Sequence, residues 1–276
     1  MHRYRTTTFV REFVLIVVAL IFCVPFYLLF TLSFQTDEQA VSSPYTLPNP
    51  ATLSNFATVL NESPFPGFVT SLINSLLITG GTVALLIIFG ALGAYVLGRS
   101  EGRTSKVLYF SFVLGYILPL QLAIIPIFSI MRSAKLNGTV GGAIVLYAGL
   151  LMPLAVFLYT GFVRTLPRAY EEAAELDGAS PLAIFWRVVF PLLRPITATV
   201  ALVAGVVVWN DFFVSLIFLS GSPATTLPAM LYSTVGEFTS RYNLTFAAVL
   251  LAILPIIVFF LFTQKSMMRG FAGGLR

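Results

Sequence analysis

Charge is the scarcest commodity in this sequence. Only 10% of its 276 residues are Asp, Glu, Lys or Arg, where an ordinary soluble domain carries roughly 25%. So few charges cannot cover the surface of a water-soluble fold of this size. With 58% hydrophobic residues and a mean hydropathy of +0.93, much of that surface must face lipid. Cysteine is represented by Cys23 alone, inside the first apolar run, which excludes an internal disulfide framework. The one histidine is His2, which excludes an internal His-based catalytic triad, an HExxH zinc site and any multi-His metal centre. A G-x-x-x-x-G-K-[ST] phosphate loop is missing too. The nearest stretch, Gly98 to Lys106, has the wrong spacing. The formal charge of +5 does not indicate nucleic acid, because the basic residues stand at the ends of apolar runs rather than in one patch.

What the sequence has in abundance is long apolar runs. A helical span needs about 20 predominantly apolar residues. Six segments meet that length: about 13–34, 68–98, 107–131, 139–163, 196–219 and 243–264. They are too long and too continuous for the alternating strands of a membrane barrel. The first is too long for a signal-peptide core and lacks a small-residue cleavage site, so it reads as a retained span. The expected fold class is therefore all-α: a polytopic membrane helix bundle with six transmembrane helices, residues 1–276 forming one transmembrane domain. Pro25, Pro119, Pro126, Pro153 and Pro255 fall within the spans and predict kinks. Lys and Arg set the orientation. With the N-terminus in the cytoplasm, the inside segments hold Arg3, Arg5, Arg11, Arg99, Arg103, Lys106, Arg164, Arg168, Arg187, Arg194, Lys265, Arg269 and Arg276, and the outside segments only Arg132, Lys135 and Arg241. Both termini are expected inside. Two outside segments, about 35–67 and 220–242, are polar and contain proline.

The longest cytoplasmic segment, 164–195, carries the most local information. Pro167 suits the first turn of a helix, and Glu171 and Glu172 favour an early position in it. Gly178 fits the C-cap. Ser180-Pro181 restarts a helix as N-cap and first residue, and Leu182, Phe185, Val188 and Val189 predict one apolar stripe. The expectation is a helix–turn–helix at the membrane surface. Ala169, Ala173 and Ala174 would let another backbone approach closely, although a helix that merely connects two spans would look the same.

The run Glu172-Ala173-Ala174, three residues, Gly178, nine residues, Val188-x-Phe190-Pro191 resembles the EAA signature of bacterial ABC-importer permeases, EAA-x3-G-x9-I-x-L-P. Its spacing matches throughout, with Val188 and Phe190 in place of Ile and Leu. Across almost the whole chain the sequence is similar to the maltose-type carbohydrate permease subfamily. The similarity rests on Pro25-Phe26-Tyr27, Ser33-Phe34, Thr52-Leu53-Ser54-Asn55-Phe56, Asn74-Ser75, Gly93-Ala94-Tyr95 with Arg99, Pro119-Leu120-Gln121, Pro126, Asp177-Gly178-Ala179 and Trp209-Asn210-Asp211. The resemblance implies a type I ABC-importer permease architecture in the bacterial cytoplasmic (inner) membrane, forming half of a sugar pathway. It implies four kinds of contact: a homologous second permease, two ABC ATPase subunits, an extracytoplasmic sugar-binding protein and the lipid bilayer. No cofactor is expected on this chain; ATP-Mg would sit on the ATPase subunits. By the same resemblance Glu171, Glu172, Ala173, Ala174, Asp177 and Gly178 would couple the chain to an ATPase, and the outside segments would meet the binding protein.

Within the spans, Asp211 reads as an interhelical hydrogen-bonding hub, a sugar contact or a proton-coupling group. A lipid-facing Asp at a helix centre costs about 2.5–3.5 kcal/mol, so it should face the bundle or water. Asn74, Gln121 and Asn210 could line a pathway or act as polar glue between helices. Thr197, Ala201 and Gly205 form a small-residue packing stripe. Two other classes stay in view: an ion-driven secondary transporter, which should need several intramembrane charges, and an intramembrane enzyme.

Overall fold

The computed structural model of the chain describes residues 6–61, 67–235 and 241–273, and every regular element among them is helical. Arg3, Arg5 and Arg276, which helped set the orientation, lie outside the described residues. The chain divides into two compact units: Met1–Val69 with Met230–Leu254, and Thr70–Ala229 with Pro255–Arg276.

In the first unit the helix Thr6–Ser33 is apolar on all sides, and every side chain from Phe13 to Tyr27 is exposed. Such a helix belongs in lipid. Beyond it the chain turns polar and ties itself down through side chains. Thr36 and Gln39 form a reciprocal capping box at the start of Asp37–Ser42. The buried Asn55 amide donates to the Ser33 and Gln35 carbonyls at 2.9 and 2.7 Å. Asn243 donates to Asn55 Oδ1 at 3.0 Å and to Asp37 Oδ1 at 2.6 Å, and Arg241 pairs with Asp37 at 2.8 Å. Partial burial alone would push the Asp37 carboxyl up. The hydrogen bonds from Arg241 and Asn243, with the Arg241 charge, outweigh it and hold the carboxyl below its usual range.

The run predicted at 68–98 is one long helical segment, Phe68–Arg99, which from Thr70 onward belongs to the second unit, with an i→i+5 turn over Leu86–Gly90. It packs along the helix Val140–Val163. Leu86, Ala91 and Ala94 from the first meet Ala155, Tyr159 and Val163 from the second, together with Phe185, Val189, Leu193, Val200 and Ala204. Small residues allow the approach: a Cβ on Gly98 would stand 2.9 Å from Val163 Cγ1, too close for any real side chain. Tyr159 donates to Thr197 at 3.1 Å, so Thr197 serves the packing face read from the sequence.

Among the described residues, the helices long and apolar enough to cross a membrane singly are Phe9–Ser33, Phe68–Arg99, Val140–Val163 and Tyr242–Leu261, and two bent pairs raise the number to six if each pair is one span. The third run, expected as one helix over 107–131, is bent by 104° between Arg103–Ile117 and Leu120–Ser133. Pro119 is the cause: it holds Leu118 extended, at ψ 130°, and starts the next helix as its N-cap. The fifth run, expected over 196–219, stops at Asn210 and resumes as Phe213–Leu219, while its other end bends by 75° into Pro181–Leu192.

Candidate functional site

The 164–195 segment forms the helix Ala169–Leu176, a turn, and a second helical stretch from Pro181. Pro167 stands just before the first helix rather than in its first turn, since Arg168 is the N-cap. The helix ends in a Schellman motif: Ala179 N donates to Ala174 O at 3.0 Å and Gly178 N to Glu175 O at 2.9 Å. This requires φ of +79° at Gly178, open to glycine without strain. Ser180 then caps the next helix by accepting from Ala183 N, with Pro181 in its first turn. The expected apolar stripe needs one correction. Phe185 and Val189 are buried and Val188 packs against the same core, but Leu182 is 59% exposed and Ile184 is buried instead. An i→i+5 turn over Phe185–Val189 shifts the helical period and rotates Leu182 away.

The short helix is two-faced. Glu171 and Ala174 turn toward their own chain, whereas Ala169, Tyr170, Glu172, Ala173, Glu175, Leu176, Asp177 and Gly178 are exposed. Beneath it lies a clamp that sequence reading did not find. Glu171 accepts from Arg99 Nε at 2.8 Å and from the Tyr95 hydroxyl at 3.0 Å, and its oxygen lies 2.5 Å from the second Arg99 nitrogen. Arg99 also donates to the Leu166 carbonyl at 3.0 Å. Both partners of this ion pair are only about one-sixth exposed, at 15% and 16%, so solvent screens the pair weakly. Arg168–Glu101, at 53% and 82% exposure, contributes about 0–1 kcal/mol at most. The spacing of Tyr95 and Arg99 on one helix face was visible in the sequence; nothing there pointed to Glu171 as their target. Tyr95 also packs on Phe185, ring centroids 5.4 Å apart, so the second span holds both helices of the loop.

The four residues weighed for a substrate pathway are not joined to one another by hydrogen bonds among the described residues. Asn74 is buried and donates to the Pro223 and Thr225 carbonyls at 2.8 and 3.1 Å. Asn210 is exposed and bonds to Val206 O in its own helix; Gln121 is exposed. Asp211 accepts from the Tyr147 hydroxyl at 2.8 Å and from Val214 N at 2.9 Å. It sits at the break in the fifth run, as the C-cap of Arg194–Asn210 and one residue before the N-cap of the next helix.

Residues 87–269 match the family described as "Binding-protein-dependent transport system inner membrane component". The chain is 36% identical over 259 residues to the melibiose/raffinose/stachyose import permease protein MelC of Bacillus subtilis (strain 168), covering 94% of this chain and 92% of that one. It is 31% identical over 246 residues to the multiple sugar-binding transport system permease protein MsmG of Streptococcus mutans, covering 88% and 87%. A bacterial ABC transporter involved in the import of the acidic polysaccharide alginate shares the fold, with a TM-score of 0.84 at 24% identity over 96% of this chain and 99% of that one. With the matched region taking in the end of the second span, the 164–195 loop and most of the last helix, this chain belongs to the inner membrane components of binding-protein-dependent transport systems.

Proposed function

We propose that this chain is the permease subunit of an ABC importer and forms half of the translocation pathway for a mono- or oligosaccharide. A homologous permease supplies the other half, and an extracytoplasmic binding protein delivers the sugar. Two separate ATPase subunits drive the cycle, because this sequence has no phosphate loop of its own. The termini are cytoplasmic in this reading. Support for sugar comes from what the relatives are named for. The observation that carries the coupling role is the two-faced helix Ala169–Leu176. Its inner face is clamped to the second span through Glu171. Its outer face leaves Ala169, Ala173 and the 89%-exposed Leu176 on one stripe, bordered by Glu172: a small, apolar surface that an ATPase groove would cover. Closure of the ATPase pair on ATP pushes this helix, and the clamp passes the push to the second span. An ion-driven carrier should need several uncommitted intramembrane charges, and Asp211 is bonded to Tyr147 and Val214.

The test uses Ala173→Asp, Gly178→Val and Gly178→Asn in the full complex. Ala173→Asp would bury an unpaired charge in the groove. At Gly178 a Cβ meets nothing within 4 Å, so valine costs only backbone strain of roughly 1–2 kcal/mol with further β-branched crowding. Asparagine tolerates the left-handed conformation better. The aspartate and valine variants should reach the membrane in normal amounts yet lose ATPase recovery and sugar uptake, while Gly178→Asn stays near wild type. Normal uptake by both disruptive variants would sink the coupling assignment.

A further inference from the structure

A cleft of about 350 Å³ opens where the second span ends, lined in part by Arg99, Glu101, Lys106, Arg164 and Arg168. Its charges do not cancel. Arg99 is paired with Glu171 and Arg168 with Glu101. Among the described residues, Lys106 and Arg164 have no acidic partner. Arg164 is held in place by stacking: its guanidinium stands 4.9 Å from the centroid of the Tyr109 ring. Tyr109 and Lys106 are three residues apart on the helix Arg103–Ile117 and so share a face. From the edge of the cleft that helix runs on as an apolar stripe. Val107, Phe110, Leu114 and Ile117, at helical spacing, are all more than half exposed.

We propose that this cleft is a binding site for the phosphate of an anionic phospholipid, with Lys106 and Arg164 as the charged contacts and the Val107–Ile117 stripe alongside the acyl chains. The two uncompensated cations call for an anion, and a phosphate can accept from both. The stripe selects its source, because free inorganic phosphate has nothing to lay against four exposed apolar side chains. Basic pockets between membrane helices on the cytoplasmic side are suited to anionic headgroups. The placement of this cleft on that side rests on the orientation proposed above.

The experiment is native mass spectrometry of the whole detergent-purified complex, titrated with phosphatidylglycerol, with phosphatidylcholine of the same chains, and with sodium phosphate. Wild type, Lys106→Gln/Arg164→Gln and the control Arg132→Gln are compared. Lys106, Arg164 and Arg132 are all exposed, so the variants should fold, which a melting curve checks. Wild type and control should retain phosphatidylglycerol in preference to phosphatidylcholine. The double variant should lose roughly thirty-fold in phosphatidylglycerol affinity, the equivalent of two surface cations. Equal retention by the double variant, or equal retention of phosphatidylcholine, overturns the site. Displacement of the lipid by millimolar phosphate overturns the lipid as its source. Loss of the ATPase subunits from the double variant with lipid retention unchanged makes the cleft a protein contact and also overturns the proposal. These readouts do not depend on sugar uptake, so a failure here is distinct from a failure of the transport reading.

Discussion

Glu171 faces inward and Glu172 outward because neighbouring residues on an α-helix point about 100° apart. The sequence placed both acids in the first turn of a short helix, where they belong on dipole grounds. It could not say which would find a cation, because Arg99 is remote in sequence and its approach depends on how the second span packs against Val140–Val163. The clamp makes a sharp energetic claim. Removing one partner of a fully buried pair costs roughly 3–5 kcal/mol; with the residual exposure of Arg99 and Glu171, about 2–3 kcal/mol is expected. Arg99→Met should therefore lower the melting temperature of the purified complex and loosen the ATPase, since Glu171 keeps only the Tyr95 hydroxyl as a partner and the Leu166 carbonyl loses its donor. Arg99→Met with Glu171→Gln should recover part of the loss, because no lone charge remains. Fully additive effects of the two changes would mean that they do not act as a pair.

At the scale of elements, local chemistry was the most legible part. Gly178, Ser180 and Pro181 stand where caps and first turns require such residues, and the turn forms there. The breaks were less legible. Pro119 announced a kink but not a 104° bend, because composition gives no angle. Leu182 was misplaced because an i→i+5 turn does not show in a pattern read at 3.6 residues per turn. The break at Asp211 offers a test between the roles open to that residue. Its Oδ1 accepts from both Val214 N and the Tyr147 hydroxyl, and an amide oxygen can do the same. Asp211→Asn should transport nearly as well as wild type at matched membrane abundance. Asp211→Ala should lose the hydrogen bond from Val214 N, worth about 0.5–1.5 kcal/mol, and leave the Tyr147 hydroxyl unpaired at about 1–3 kcal/mol, with reduced abundance and uptake. Loss of uptake in Asp211→Asn with normal abundance would favour a proton-coupling role instead.

For the whole molecule, the membrane character and helical class were legible in composition and run length alone, since lipid leaves a backbone so few choices. Orientation rests on where Lys and Arg stand, and it is testable by thiol labelling in a background with the exposed Cys23 replaced by Ser. Ser43 and Ser100 are both exposed, whereas Ser105 is buried and bonded to the Leu97 carbonyl, so labelling there would report packing rather than sidedness. Ser43→Cys should react with an impermeant reagent in intact cells, and Ser100→Cys only after lysis; the opposite pattern inverts the topology.

The central claim, that this chain is a passive pathway energised from outside itself, is tested most directly by sugar uptake into proteoliposomes. The chain is reconstituted with the proposed second permease, ATPase subunits and binding protein. Labelled oligosaccharide should accumulate only when ATP and the binding protein are both supplied, and an imposed proton or sodium gradient should not replace ATP. Uptake driven by an ion gradient with the ATPase subunits left out would contradict the account.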